Sequence, residues 1–218
     1  MSTNDFLSPY GTPKVDASGV AKAASVATLA ALKALEVGGP ARVHGNEIRV
    51  DADGSVWVFH STSALTGDDI LVVAPTAGTG RWLRAAGIVD LALPFAFGTA
   101  DGAVLLTIPA GARFQLDSAH WEIVADMTGG TSSAIGVAAT GNATAGDILG
   151  GASGDVAAGL TAGVRPGTIG AKMDTDAELH AMLFLPTNTF TFERITSAFT
   201  AGSGYVHLRG TLLRNVGA

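Results

Sequence analysis

The chain has no cysteine, so disulfide cross-links and thiolate metal sites are excluded and the redox compartment stays undecided. Charge is scarce as well: only 15% of the 218 residues are Asp, Glu, Lys or Arg, with a formal net charge of −6. The 13 basic residues are scattered and never form a run. That argues against nucleic acid as a partner, because phosphate binding needs clustered Lys and Arg. No apolar run is long and clean enough to read as a membrane span, since the longest, residues 20–37, is interrupted by Lys22, Lys33 and Glu36. The opening MSTNDFLSPYGTPK lacks the basic-then-apolar order of a secretory signal, so a soluble protein is expected. What is plentiful is apolar material, 47% of residues, together with 29 glycines. Much of it is Ala, which like Gly buries little area. A surface this poor in charge is either hidden in an oligomer or lined by bland small residues.

Residues 1–17 mix Ser, Thr, Asn, Asp, Pro and Gly around three isolated apolar points, Phe6, Leu7 and Tyr10. Such a segment reads as an extended arm that orders only against something else, and those three residues are its candidate docking anchors. Ser18 is a plausible N-cap for a helix over Val20–Val37, stopped by Gly38-Gly39-Pro40. Its polar residues fall on one narrow stripe, which predicts a helix covered on several sides, by its own domain or by copies of itself about a symmetry axis. The period then changes to two: ARVHG, EIRVDA and SVWVFH alternate, with a DADG turn, and ILVVAP and GRWLRA supply two further strands. Residues 18–86 are thus a helix plus a small β module.

Residues 87–218 carry strand candidates at Leu91–Phe97, Ala103–Ile108, Phe114–Val124, Ala134–Ala138, His180–Leu185, Thr189–Ile195 and Tyr205–Leu213. The parity of Phe114 and Leu116 clashes with that of Trp121 and Ile123, which a β-bulge near Asp117–Ala119 reconciles. Residues 129–170 hold 12 glycines in 42 positions and read as long loops. The expected fold is mostly β: an arm and short helix, a small β unit, then an antiparallel β-sandwich of jelly-roll-like type.

PTAGTGRWLR, residues 75–84, has the look of a phosphate-binding loop. A P-loop requires Lys and Ser or Thr after the last glycine and a helix behind it, whereas Gly80 is followed by Arg81 and a strand pattern. The phrase also recurs, as TAGTGRWLR at 76–84 and TAGSGYVHLR at 200–209, so both are read as tight entries to a strand where glycine supplies positive φ. Asp174, Asp176, Glu178 and His180 alternate and share one face if extended, an oxygen-rich set that suits Ca²⁺ or Mg²⁺. The EF-hand spacing is absent, and acidic side chains on an edge strand serve equally to discourage pairing, so no metal is assigned. GGASGDVAA at 150–158 occurs once and is not a calcium repeat. The five histidines lie far apart and read as structural or surface residues. Trp57, Trp82 and Trp121 could stack on sugars, but core packing is favoured. No nucleophile motif or carboxylate pair appears, so no catalytic residue is nominated.

Over residues 26–84, VATLAALKAL, RVHG and DGSVWVFHSTSALTGDDILVVAPTAGTGRWLRA resemble a short module near the N-termini of tailed-bacteriophage tailspikes, fibres and other virion proteins. Leu29, Leu32, Leu35, Val58, Phe59, Val72 and Pro75 match its apolar frame, and Gly54, Asp68, Asp69, Gly80, Arg81, Trp82 and Arg84 match its motif. TIPAGARF, AGDILGG, GTIGAKM and ITSAFTAGSGYVHLRG are similar in style to β-sandwich domains of phage head-decoration and spike proteins. The resemblance implies a non-enzymatic structural protein of a tailed-phage virion, a capsid decoration or head-spike protein. Such a protein is a homotrimer made in the host cytoplasm, bound to capsid or other virion proteins through its N-terminal region, without cofactor, nucleic acid or membrane. The alternative is a tail-associated adsorption protein that binds a receptor or host-surface glycan. The chain after the module is too short for the long catalytic β-helix of a tailspike, so depolymerase activity is not expected.

Overall fold

The computed structural model describes residues 14–15, 21–22, 25–128, 134–139, 148–151, 153–156, 160–168, 183–194 and 199–214. It is mostly β, and the chain divides into two compact units, Met1–Ala85 and Ala86–Ala218.

The first unit begins with β1 (Lys14–Val15) and β2 (Ala21–Lys22), which pair antiparallel. A second sheet has the order β3 (Ser25–Val26), β4 (Glu47–Val50), β5 (Val56–His60), β7 (Arg81–Arg84), β6 (Val72–Val73), antiparallel except for β3–β4. The long helix expected over Val20–Val37 is not formed. Helix α1 covers only Leu29–Lys33, and Ser25–Val26 is a strand. Two local preferences decide this. Thr28 caps the helix, its Oγ1 accepting from the Ala31 N–H at 3.2 Å, and β-branched Val26 favours the extended ladder with Val50. Its own unit covers the helix on one side only. Leu32 is buried, with Leu29 and Leu35 packed beside it, while Ala30 and Ala34 face solvent.

ARVHG does not form a strand either: Pro40–Arg42 is a 3-10 turn. The DADG hairpin forms as expected. Gly54 takes a φ of 72°, and Asp53 Oδ1 accepts from the Ser55 N–H and Oγ–H, whose Oγ in turn accepts from Trp57 Nε1 at 2.7 Å. Leu32, Ile48, Val50, Trp57, Phe59, Val73 and Trp82 are buried together as the core of this unit.

In the second unit the described residues form two sheets. One has the order β13 (Gly163–Arg165), β10 (Ala112–Thr128), β16 (Ala201–Arg214), β8 (Gly87–Ala96), with β14 (Leu183–Phe184) also on β10. The other runs β12 (Asp155–Val156), β11 (Ala134–Ala139), β15 (Thr189–Arg194), β9 (Ala103–Thr107). Every pairing is antiparallel. Along β8, β10 and β16 buried and exposed residues largely alternate, the mark of a sheet with one face in a core. Rings from the two sheets meet there: Phe95 stacks on Phe192 with centroids 5.3 Å apart, and Phe114 meets Phe190 edge-on at 6.2 Å. The register of β10 slips between Leu116 and Ser118, which is the bulge that the parity change requires. Within the Gly-rich span β11 forms where a strand was expected, and the short strands β12 and β13 stand in what was read as loop.

Candidate functional site

The module motif is held inside the first unit by its own backbone. Asp68 Oδ1 accepts from the N–H groups of Ile70, Leu71 and Val72 at 2.7 to 2.8 Å, fixing the turn into β6. Asp69 sits at φ 60° and pairs with Lys33 on α1. Arg81 donates from Nε to the Leu65 carbonyl and from Nη1 to the Gly80 carbonyl, and Arg84 lies over the Trp57 ring. Trp82 is fully buried against Phe59, and its Nε1 has no acceptor among the described residues.

The loop before β7 is a turn, and the reason is visible. Gly78 and Gly80 have φ of 78° and 87°, and a Cβ on Gly80 would lie 2.6 Å from the Phe59 ring. The buried Arg42 guanidinium donates to the carbonyls of Ala77 and Thr79, both at 2.7 Å, and lies over Phe59. Burial lowers its pKa. The recurrence at 200–209 is different. Gly202, the counterpart of Gly78, does take a positive φ of 120°, but Ala201–Gly204 is already inside β16, and Gly204 is required for space: a Cβ there would lie 2.3 Å from the Glu122 carbonyl oxygen.

The arm anchors Phe6, Leu7 and Tyr10 and the acidic row Asp174, Asp176, Glu178 and His180 lie outside the described residues. Among the described residues no group of three or more His, Asp and Glu side chains is placed to hold a metal ion, and no helix is long and apolar enough to cross a membrane. Asp155, in the segment compared with a calcium repeat, accepts instead from Trp121 Nε1 at 2.7 Å and from Thr168. All three tryptophans are core residues, exposed by 1% or less.

One cluster has no counterpart in any sequence pattern. It lies on the solvent face of the sheet β13-β10-β16-β8. Strand pairing sets His207 opposite His120, their rings parallel within 7° and 4.7 Å apart. His207 Nδ1 lies 2.8 Å from Asp90 Oδ1 on β8, and Nε2 lies 2.7 Å from Glu122 Oε2 on β10. Both ring nitrogens can donate at once only when the imidazole is protonated. Burial lowers the His207 pKa, but the hydrogen bonds to Glu122 and Asp90 and the charges of both carboxylates outweigh it, so the net shift is upward. The cluster joins three strands through one imidazole. His44 and His60 are also brought together, 4.9 Å apart in an edge-on pair.

A raised folded-state pKa makes the His207 contribution to stability complete below about pH 6.5 and lost as pH rises through the raised value. The melting-temperature advantage of the natural chain over His207→Gln should therefore shrink steadily from about pH 6 to pH 9. An advantage that grows with pH would show that His207 is held neutral.

No family model matches the chain, and no curated protein is significantly similar to it.

Proposed function

We propose that the chain is a non-enzymatic structural protein of a tailed-phage virion, a capsid decoration or head-spike protein, and that it acts as a homotrimer. On this reading residues 1–17 dock on the particle, the first unit connects, and the two sheets of the second unit form a jelly-roll-like sandwich displayed outward. One observation carries the proposal. Asp68, Asp69, Arg81 and Arg84, the charged residues of the module motif, all bind neighbouring groups of their own unit. Residues used in this way stiffen a connector; they are not poised to attack a substrate. The 15% charge and the bland exterior also suit a part that is covered by neighbours.

Quantitative mass spectrometry of purified virions tests the assignment. A decoration protein is expected in many copies per head. A handful of copies per particle would favour a tail adsorption protein, and absence from particles would refute both.

A further inference from the structure

Six of the eleven large apolar side chains exposed among the described residues lie on one surface, the solvent face of the sheet β13-β10-β16-β8. They are Ile88 (76% exposed), Val164 (66%), Val124 (59%), Leu213 (42%), Tyr205 (38%) and Leu183 (36%). Register sets four of them in two rows shared with polar residues, while Leu213 stands opposite Arg113 and Val124 falls at the slip after Ile123. Val164, Glu122, Tyr205 and Pro94 stand side by side across four strands, and Leu183, Gln115, Thr211 and Ile88 stand across another four. Scattered apolar residues are normal on a protein surface, but six of eleven on one sheet face is a concentration.

The charges between these rows indicate what covers them. Arg209 is in register with Asp90, yet Asp90 turns to His207, and neither Arg209 nor Arg113 has a hydrogen-bond or ion-pair partner among the described residues. Asp90 and Glu122 each give His207 a single oxygen, leaving Oδ2 and Oε1 without a protein donor there. Among the described residues the face thus offers guanidinium groups and carboxylate oxygens that are both without partners. Nucleic acid would meet the carboxylates, and a uniformly acidic or basic partner would satisfy only half of the groups. A second copy satisfies both signs. Three strands about 4.8 Å apart, over ten residues of about 3.3 Å rise, with the short β13 and β14 beside them, give a face of about 550 Å². Two such faces together bury about 1,100 Å², enough to clear the roughly 1,000 Å² expected of a specific interface.

We infer that this sheet face is the surface through which copies of the chain associate. The inference rests on the homo-oligomer part of the function proposed above and is independent of the virion. In a trimer, each copy presents the face toward the symmetry axis and its neighbours.

The test is sedimentation velocity of the full chain at micromolar concentration, with Ile88→Asp, Val124→Asp and Arg209→Glu as variants on the face. Val43→Asp in the first unit and Val104→Asp on the other sheet of the second, exposed by 54% and 56%, are the controls. Each of the five sites is solvent-exposed, so circular dichroism should be unchanged throughout. The face variants are expected to weaken association on the order of a hundredfold and the controls to leave it intact. A natural chain that is monomeric overturns both the inference and the oligomer reading. An oligomer that survives all three face variants overturns the inference alone. A monomer that binds neutral oligosaccharides on an array, and loses them on Tyr205→Ala, assigns the face to a sugar and overturns the inference too.

Discussion

Replacing Gly210 by alanine is expected to cost about 3 kcal/mol and to lower the melting temperature of the second unit by about 10 °C. Gly210 lies in β16, in register with Leu116 beside the slip in β10. A Cβ there would meet the Gln115 carbonyl oxygen at 2.1 Å and the Phe114 ring at 2.8 Å. Neither can retreat. The oxygen belongs to a strand paired on both sides, and Phe114 is fully buried against Phe190. The problem is purely one of space, because Gly210 is not among the glycines with positive φ. Gly102 is the natural comparison: its φ is 70° but nothing lies within 4 Å of its Cβ position. Alanine at Gly102 should cost only about 1 kcal/mol, from backbone strain alone. Thermal unfolding followed by circular dichroism separates the two, and a Gly210→Ala midpoint within a degree or two of the natural one would show that β10 and β16 yield readily.

The second large effect concerns the arm. Deleting residues 1–17 should abolish incorporation into particles while leaving melting temperature and oligomeric state nearly unchanged. Three apolar side chains, Phe6, Leu7 and Tyr10, cannot offset the entropy of ordering a polar stretch that contains Pro and Gly. They can do so inside a groove on a partner. The deletion removes the two-residue ladder between β1 and β2, whereas the cores of both units are built from later residues. Particles incubated with the truncated protein and then pelleted give the readout. Truncated protein that binds at normal occupancy would move the docking surface to the β module of the first unit.

Much of the β architecture is legible in the sequence because its signals are local. Asp53-Gly54 marks a hairpin by its own backbone needs, and a two-residue period betrays a half-buried strand wherever it falls. Even the bulge at Asp117 can be inferred, because it reverses the parity of the residues on either side. The helix is shorter than its composition suggests because Ala and Leu carry helix propensity into a segment whose Val26 has a better use in a ladder with Val50. The repeated TAGxG phrase is ambiguous for a related reason. At Gly80 glycine answers a need for positive φ as well as space and at Gly204 a need for space alone, and the letters are the same. The histidine cluster is hidden because it depends on register. His120, His207, Asp90 and Glu122 meet only once β8, β16 and β10 are aligned, and no local pattern encodes that alignment.

Gold-labelled antibody against this chain, imaged on intact phage particles by electron microscopy, tests the proposed place on the virion. Label distributed over the heads in a regular array is the expected result for a capsid decoration or head-spike protein. Label confined to the tail tip, or particles without label, would contradict that assignment.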